Sequence, residues 1–239
     1  MKLIADTHTH TIISGDAFST LYENIQAARK RGIKYLCLTE HVYSALPGAP
    51  TPSYFKSMHA LPQEIYGVQL IRGVEVNILD YNGHLDMPPD LLEWLEWVIA
   101  SMHPTVIQPK DKKAHTKAWL AIAENPTVDV IGHCDDPRYP FDIDQVVHMF
   151  ARHGKIMELN EQSPVTRPGG DIMRREILTA CVKHSLPIVV SSDGHFVDKI
   201  GVFQKSIALL QELHFPEELV LNADEKRFAK ILSEKRHKP

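Results

Sequence analysis

Two histidines one residue apart, His8 and His10, follow the apolar run Leu3-Ile-Ala near the start of the chain. In an extended segment, side chains two apart point to the same side, so both imidazoles can aim at one point, which is a metal chelate in outline. Seven further groups of suitable chemistry stand at or just beyond the ends of other apolar runs: Asp16, His41, Glu75, His103, His133, Asp193 and His195. Together they make a mixed nitrogen and oxygen set of the kind that suits zinc, manganese or iron, whereas magnesium or calcium would call for oxygen alone. The set is too large for one ion. Two ions would need a shared carboxylate, and Glu75, the acidic residue at the end of its strand, is placed to bridge. Three ions with about three protein donors each would use every member and leave positions for water and substrate.

Such a set converges only if the backbone brings its members to one place. Apolar runs predict strands at Leu3 onward, Lys34–Leu38, Val68–Val74, Trp97–Ser101, Val128–Ile131, Lys155–Leu159 and Pro187–Ser191. Helical patterns fall between them. Thr20 and Glu23 form a capping box for a helix that Gly32 stops, a poorly patterned stretch over Tyr54–Glu64 reads as helical, and Pro88-Pro89 starts a short helix. Further helices are expected over about Lys112–Glu124, Asp142–Arg152, Asp171–Lys183, Val202–Leu213 and Asp224–Lys235, with Asp80–Gly83 as a turn. Strands alternating with helices imply a parallel sheet. Donors follow six of the seven strands, and only a closed arrangement lets all of them meet, which favours a seven-stranded barrel over an open sheet with one switch point. No linker or repeat divides the series, so a single domain over residues 1–239 is expected.

Composition restricts the partners. The 239 residues carry a formal charge of −4, which gives no electrostatic case for nucleic acid or an anionic membrane. No apolar run approaches the roughly 20 residues of a membrane span, and Met1-Lys2 leads straight into the first strand without a signal segment. Cys37, Cys134 and Cys181 are odd in number and scattered, which argues for a reducing cytoplasm.

Asp6-x-His8-x-His10 with Thr11-x-x-Ser14, then Thr39-Glu40-His41, Gly73-Val-Glu75, Ser101-x-His103, Gly132-His133 and Ser192-Asp193-Gly-His195 resemble, in this order, the motifs of the polymerase and histidinol phosphatase (PHP) family. The YcdX-like bacterial phosphatases are the subgroup they resemble most. The resemblance implies a distorted seven-stranded β/α barrel of TIM-like form and a trinuclear metal centre, usually zinc and sometimes manganese or iron. By position, one ion would take His8, His10, Glu75 and Asp193, a second Glu75, His103 and His133, and a third Asp16, His41 and His195. Asp16 departs from the histidine frequent in that subgroup, which makes the third site harder and shifts it somewhat toward manganese or iron. Relatives of this kind are often assemblies, so the resemblance also allows a homo-oligomer.

Clustered divalent ions lower the pKa of a bridging water to near neutral and neutralise phosphoryl oxygens. The expected reaction is therefore in-line attack of that hydroxide on the monoester of a small phosphorylated metabolite, with Glu75, Asp193 and His195 acting through the ions they hold. Arg138 and Arg167, in loops after the fifth and sixth strands, are candidates for gripping the phosphate. The alternative is a metal-dependent amidohydrolase or deaminase on a similar barrel. Those enzymes commonly bridge their ions with a modified lysine after the fourth strand, where this chain reads Ser101-Met-His103. A non-catalytic accessory domain ranks last. His59, His115, His148, His153, His184, His214 and His237 read as surface or helix-end residues, His84 as a residue that could line the pocket, and Asp135 and Asp136 as carboxylates that either orient histidines or cap a helix.

Overall fold

A computed structural model describes residues 1–236; His237 lies outside the described residues. Seven parallel strands follow one another around a sheet: β1 (Ala5–Thr9), β2 (Tyr35–Leu38), β4 (Val68–Asn77), β5 (Trp97–Ser101), β6 (Val130–Ile131), β7 (Ile156–Asn160) and β8 (Ile188–Ser191), while β3 (Glu64–Ile65) hangs antiparallel on β4. The helices are α1 (Leu21–Lys30), α2 (Pro52–Ser57), α3 (Pro89–Trp94), α4 (Lys112–Glu124), α5 (Ile143–Arg152), α6 (Ser163–Thr166), α7 (Asp171–His184), α8 (Gln204–Glu212) and α9 (Glu225–Arg236). None of the described helices is long and apolar enough to cross a membrane.

The local rules that place these elements are visible at their ends. Thr20 Oγ1 accepts from the Glu23 N–H while Glu23 Oε2 accepts from the Thr20 N–H at 2.7 Å, which is the expected capping box of α1. Asp111 and Asp142 are the N-caps of α4 and α5, accepting from the Ala114 and Gln145 N–H groups. The single helix expected over 54–64 is instead α2, a 3-10 turn at Met58–Ala60, and the short strand β3. Pro62 explains the break: it disfavours helical backbone at Leu61, which is extended with ψ 134°. Tyr66 and Gly67, both at positive φ, then turn the chain into a β3–β4 hairpin.

Two apolar layers flank the strands. Ile4, Cys37, Ile71, Trp97, Ile99, Val130, Ile156 and Val189 form one cluster with Phe228 and Leu232 of α9, which covers that end of the barrel. Ile71 and Glu75, like Ile156 and Glu158, are an even number of residues apart and so share a strand face, which puts the acidic pair beyond this apolar floor, toward the C-terminal ends of the strands. The larger cluster lies between the sheet and its helices, with Trp119, Phe150, Ile25 and Leu210 among its members.

The sheet closes on itself by side chains more than by strand pairing. Just past the end of β8, Gly194 forms an isolated bridge with Thr9 of β1, and the His10 N–H donates to the Gly194 carbonyl at 3.0 Å. Elsewhere Asn222, fully buried, spans the gap: its Nδ2 donates to the carbonyls of Ala5 at 2.9 Å and Val190 at 2.7 Å, and its Oδ1 accepts the Val190 N–H. Asp6 works from the other side, accepting the N–H groups of Ser192 at 3.0 Å and Gly201 at 2.7 Å. Burial is the main reason that the Asp6 carboxyl is pushed up to about 6, against the pull of these hydrogen bonds.

Candidate metal centre

All nine donors singled out by spacing meet at the C-terminal ends of the strands. Glu75 is their hub: Oε2 lies 3.3 Å from His8 Nε2, 3.6 Å from His10 Nε2 and 2.9 Å from His41 Nδ1, while Oε1 lies 2.8 Å from His133 Nε2 and 3.4 Å from His103 Nε2. Asp193 Oδ1 closes the near side, 3.3 Å from His10 Nε2 and 3.6 Å from His195 Nδ1. Asp16 Oδ2 stands 3.3 Å from His195 Nε2 and 3.5 Å from His41 Nε2. His8, His10 and Glu75, then His41, Glu75 and His103, and then His10, His41 and His195 each bring three ligand atoms within 4.8 Å of one another. The clusters overlap, so in this geometry His10 and His41 each serve more than one grouping.

Several of these atoms are buried without a hydrogen bond: His8 Nε2, His10 Nε2, His41 Nδ1, Glu75 Oε2 and Asp16 Oδ1. They face one another at ion-pair distances, His41 Nδ1 at 2.9 Å and His8 Nε2 at 3.3 Å from Glu75 Oε2, a grouping of buried donors that suits a cationic guest. The donor set meets the chemical requirement for a transition ion. Burial and the neighbouring His41 and His195 rings hold the His10 pKa well below its ordinary value, and burial moves His103 down to about 4, so both offer neutral lone pairs. Burial opposes ionisation of Glu75 and Asp193, but the surrounding histidines outweigh it and keep both carboxylates charged.

The opposite ring atoms are held in place from behind. His8 Nδ1 meets Glu158 Oε1 at 2.6 Å, His103 Nδ1 meets Asn77 Oδ1 at 2.7 Å, and His10 Nδ1 meets Ser14 Oγ at 3.0 Å, with Ser14 in turn donating to Glu40. Asn160 Nδ2 donates to Asp193 Oδ2 at 3.0 Å. Such contacts fix the orientation and basicity of donors. Sequence reasoning assigned none of these roles. The signals available were Ser14 and Glu40 within the quoted motifs and an acidic residue inside an apolar strand, Ile156-Met-Glu-Leu159.

Backbone strain gathers here too. His133 at φ 24° and Asp193 at φ 49° lie in the left-handed region, where non-glycine residues are uncommon and which is often occupied at functional sites. Gly132, just before His133, has no room for a side chain, since a Cβ there would come within 2.1 Å of Ser101 Oγ.

The remaining candidates separate. Arg167 is nearly buried and brings Nη2 to 3.9 Å from Asp193 Oδ2. Arg138 is half exposed and clamped by Asp136, with Nε 2.9 Å from Oδ1 and Nη2 2.6 Å from Oδ2. Neither Asp136 nor Asp135 touches a histidine: Asp135 accepts from Arg174 Nε at 2.6 Å and from Ser163 Oγ at 2.8 Å. Their place in the chain allowed an orienting role, but two arginines and a serine compete for the carboxylates. His84 is exposed and pairs with Asp80 at 2.7 Å, away from the donors. His115, expected at the surface, is buried on α4 with both ring nitrogens engaged, Nδ1 with the Pro140 carbonyl and Nε2 with the Lys110 N–H, because α4 packs under the loop before α5.

Comparisons agree with the geometry. A family model for the PHP domain matches residues 6–162. A probable phosphatase of Acetivibrio thermocellus is 40% identical over 238 residues, covering 100% of this chain and 98% of the relative. Among solved structures, histidinol phosphate phosphatase from Lactococcus lactis, complexed with zinc, L-histidinol and phosphate, superimposes with a TM-score of 0.64 at 19% identity over 90% of this chain and 95% of its own. An archaeal ribonuclease P chain matches with a TM-score of 0.61 at 15% identity, over 97% and 90%. At such identities these last two describe the fold alone, and the fold by itself does not choose between chemistries.

Proposed function

Because the chain belongs to the PHP family, we propose that it is a metal-dependent phosphatase that hydrolyses the monoester of a small phosphorylated metabolite. The observation that carries this reading is the group of buried donors, His8 Nε2, His10 Nε2 and Glu75 Oε2, gathered at one point with no hydrogen bond formed. The curated relatives' description as probable phosphatases supports it.

Three ions fit the donor count, zinc first and manganese or iron as alternatives, held by His8, His10, Glu75 and Asp193, by Glu75, His103 and His133, and by Asp16, His41 and His195. Divalent ions in such a site supply an activated water and neutralise phosphoryl oxygens. The protein does the rest. Glu75 offers both carboxylate oxygens to opposite sides of the cluster, which sets the spacing of whatever it bridges. Arg167, beside Asp193 and without a bidentate carboxylate of its own, is the guanidinium placed to grip the phosphoryl group. Asp16 and His195 are the most exposed donors, at 34% and 32%, so substrate approaches from their side.

The test is release of inorganic phosphate from simple monoesters by the protein as purified, with metal content measured on the same sample. Chelator should abolish turnover, and added zinc or manganese should restore it. Release of ammonia from amide or amino substrates without phosphate release from esters would overturn the reading in favour of a deaminase.

A further inference from the structure

Two phenylalanines stand in the open beside the exposed donors. Phe18 is 76% and Phe196 48% exposed, and among the described residues neither ring has an aromatic partner. The backbone ties both to the donors: the Phe18 N–H donates to the His195 carbonyl at 2.8 Å, Phe196 directly follows His195, and the Val197 N–H donates to Ser19 Oγ at 2.8 Å. Ile12 and Ile13, also exposed, belong to the same loop, where the Ile12 N–H donates to the Ser19 carbonyl at 2.9 Å. On the inner side, Gly15 lies against the Pro47–Ala49 backbone, a stretch without charge. Single exposed apolar residues are ordinary, but four on one loop pair, close in the chain to the two most exposed of the nine donors, form an apolar rim.

We propose that this rim receives the alcohol part of the substrate, and that this part carries a planar ring or comparable apolar body, with Phe18 and Phe196 as specificity-determining residues. The proposal rests on the phosphatase reading above. Phosphate is drawn to the cationic end of the site at Arg167 and the donors, so the rest of the ester must extend along the open side, past Asp16 and His195. A polyol placed there would exchange water for phenyl faces and lose hydrogen bonds, whereas a ring would bury apolar surface and stack in offset or edge-to-face contact. A hydrophobic pocket of this kind discriminates modestly, by factors of ten to a few hundred.

Benzyl phosphate and glycerol 3-phosphate, both esters of primary alcohols, give the comparison without a large difference in leaving group. The metal-loaded protein should favour benzyl phosphate in kcat/KM by about tenfold or more, corresponding to ~1.4 kcal/mol. In Phe18→Ser with Phe196→Ser, that preference should fall at least fivefold through a raised KM for benzyl phosphate, with metal content retained. A wild-type preference for glycerol 3-phosphate, or a preference unchanged in the double variant, would overturn the proposal. So would a double variant whose mass in solution falls while its preference holds, since the rim would then be a contact between copies of the chain. Failure to release phosphate from either ester is a different result: it removes the phosphatase reading and this proposal with it.

Discussion

Glu158 Oε1 and His8 Nδ1 meet at 2.6 Å with both side chains buried, and the other Glu158 oxygen accepts the His133 N–H at 2.6 Å. One carboxylate thus orients two donors from different strands. Burial opposes its ionisation, but the His8 and His133 rings outweigh that and hold its pKa below the usual carboxylate range. Glu158→Gln should therefore leave the fold in place and weaken metal retention by 10–100-fold, the usual cost of removing such a partner. Competition with a chromophoric chelator reads this directly, and unchanged affinity would show that His8 needs no such support.

Glu75 touches five histidines through two oxygens, so no other single substitution should cost as many ion contacts. Glu75→Ala is expected to purify with at least two fewer equivalents of metal than the parent, by elemental analysis, and with phosphatase activity reduced by more than about 10³-fold. Full turnover by this variant would refute the bridging role.

Loading should release protons. In the metal-free protein burial disfavours a charged His41, yet Glu75 and Asp16 outweigh it and raise its pKa from 6.5 to about 10, and His8 moves up for similar reasons. An ion must displace those protons, so apparent affinity should rise with pH between about 7 and 10. Titration calorimetry in two buffers of different ionisation heat should give different apparent enthalpies. The same shift contributes to the stability of the metal-free protein. A raised pKa stabilises fully below the unfolded value of 6.5 and is lost as pH climbs through about 10, so Tm should fall across that interval.

Arg167 and Arg138 lie in neighbouring loops yet should behave differently. Arg167→Ala is expected to raise KM for any phosphate ester about tenfold, because the guanidinium near Asp193 is lost. Arg138→Ala should shift KM less, since that side chain already spends its fork on Asp136. Steady-state kinetics on one ester would reverse this assignment if the order came out opposite.

Removing Asn222 leaves two carbonyls and one N–H without partners in a buried seam. Asn222→Ala should cost about 3 kcal/mol, roughly 6–12 °C in Tm for a chain of this size, measured by thermal unfolding. A change under 2 °C would mean that the strands re-pair directly.

The convergence of the nine side chains was legible because eight of them stand in or within four residues of the end of a strand, where a polar residue after an apolar run is conspicuous, and His8-x-His10 carries its own periodicity; Asp16 comes in past the 3-10 turn after β1. Glu158 was not legible, since one acid among Ile156, Met157 and Leu159 reads as a solvent-facing position until the barrel is closed. The distinction between Arg138 and Arg167 was hidden because Asp136, two residues from one of them, looked equally able to cap a helix. The β3–β4 hairpin was masked by an ambiguous stretch in which Pro62 is the decisive residue, since it holds Leu61 extended and ends the helical pattern. Asp6 appeared in a recognisable pattern, but its work on Ser192 and Gly201 depends on contacts nearly two hundred positions away.

That seam also ties the site to the closing of the barrel. His8 and His10 stand on one side of it, Asp193 and His195 on the other, and Asn222 bonds the strands that lead to both. A chain whose seam stays open holds only part of the cluster, so the complete set of side chains assembles together with the folded barrel and not before it.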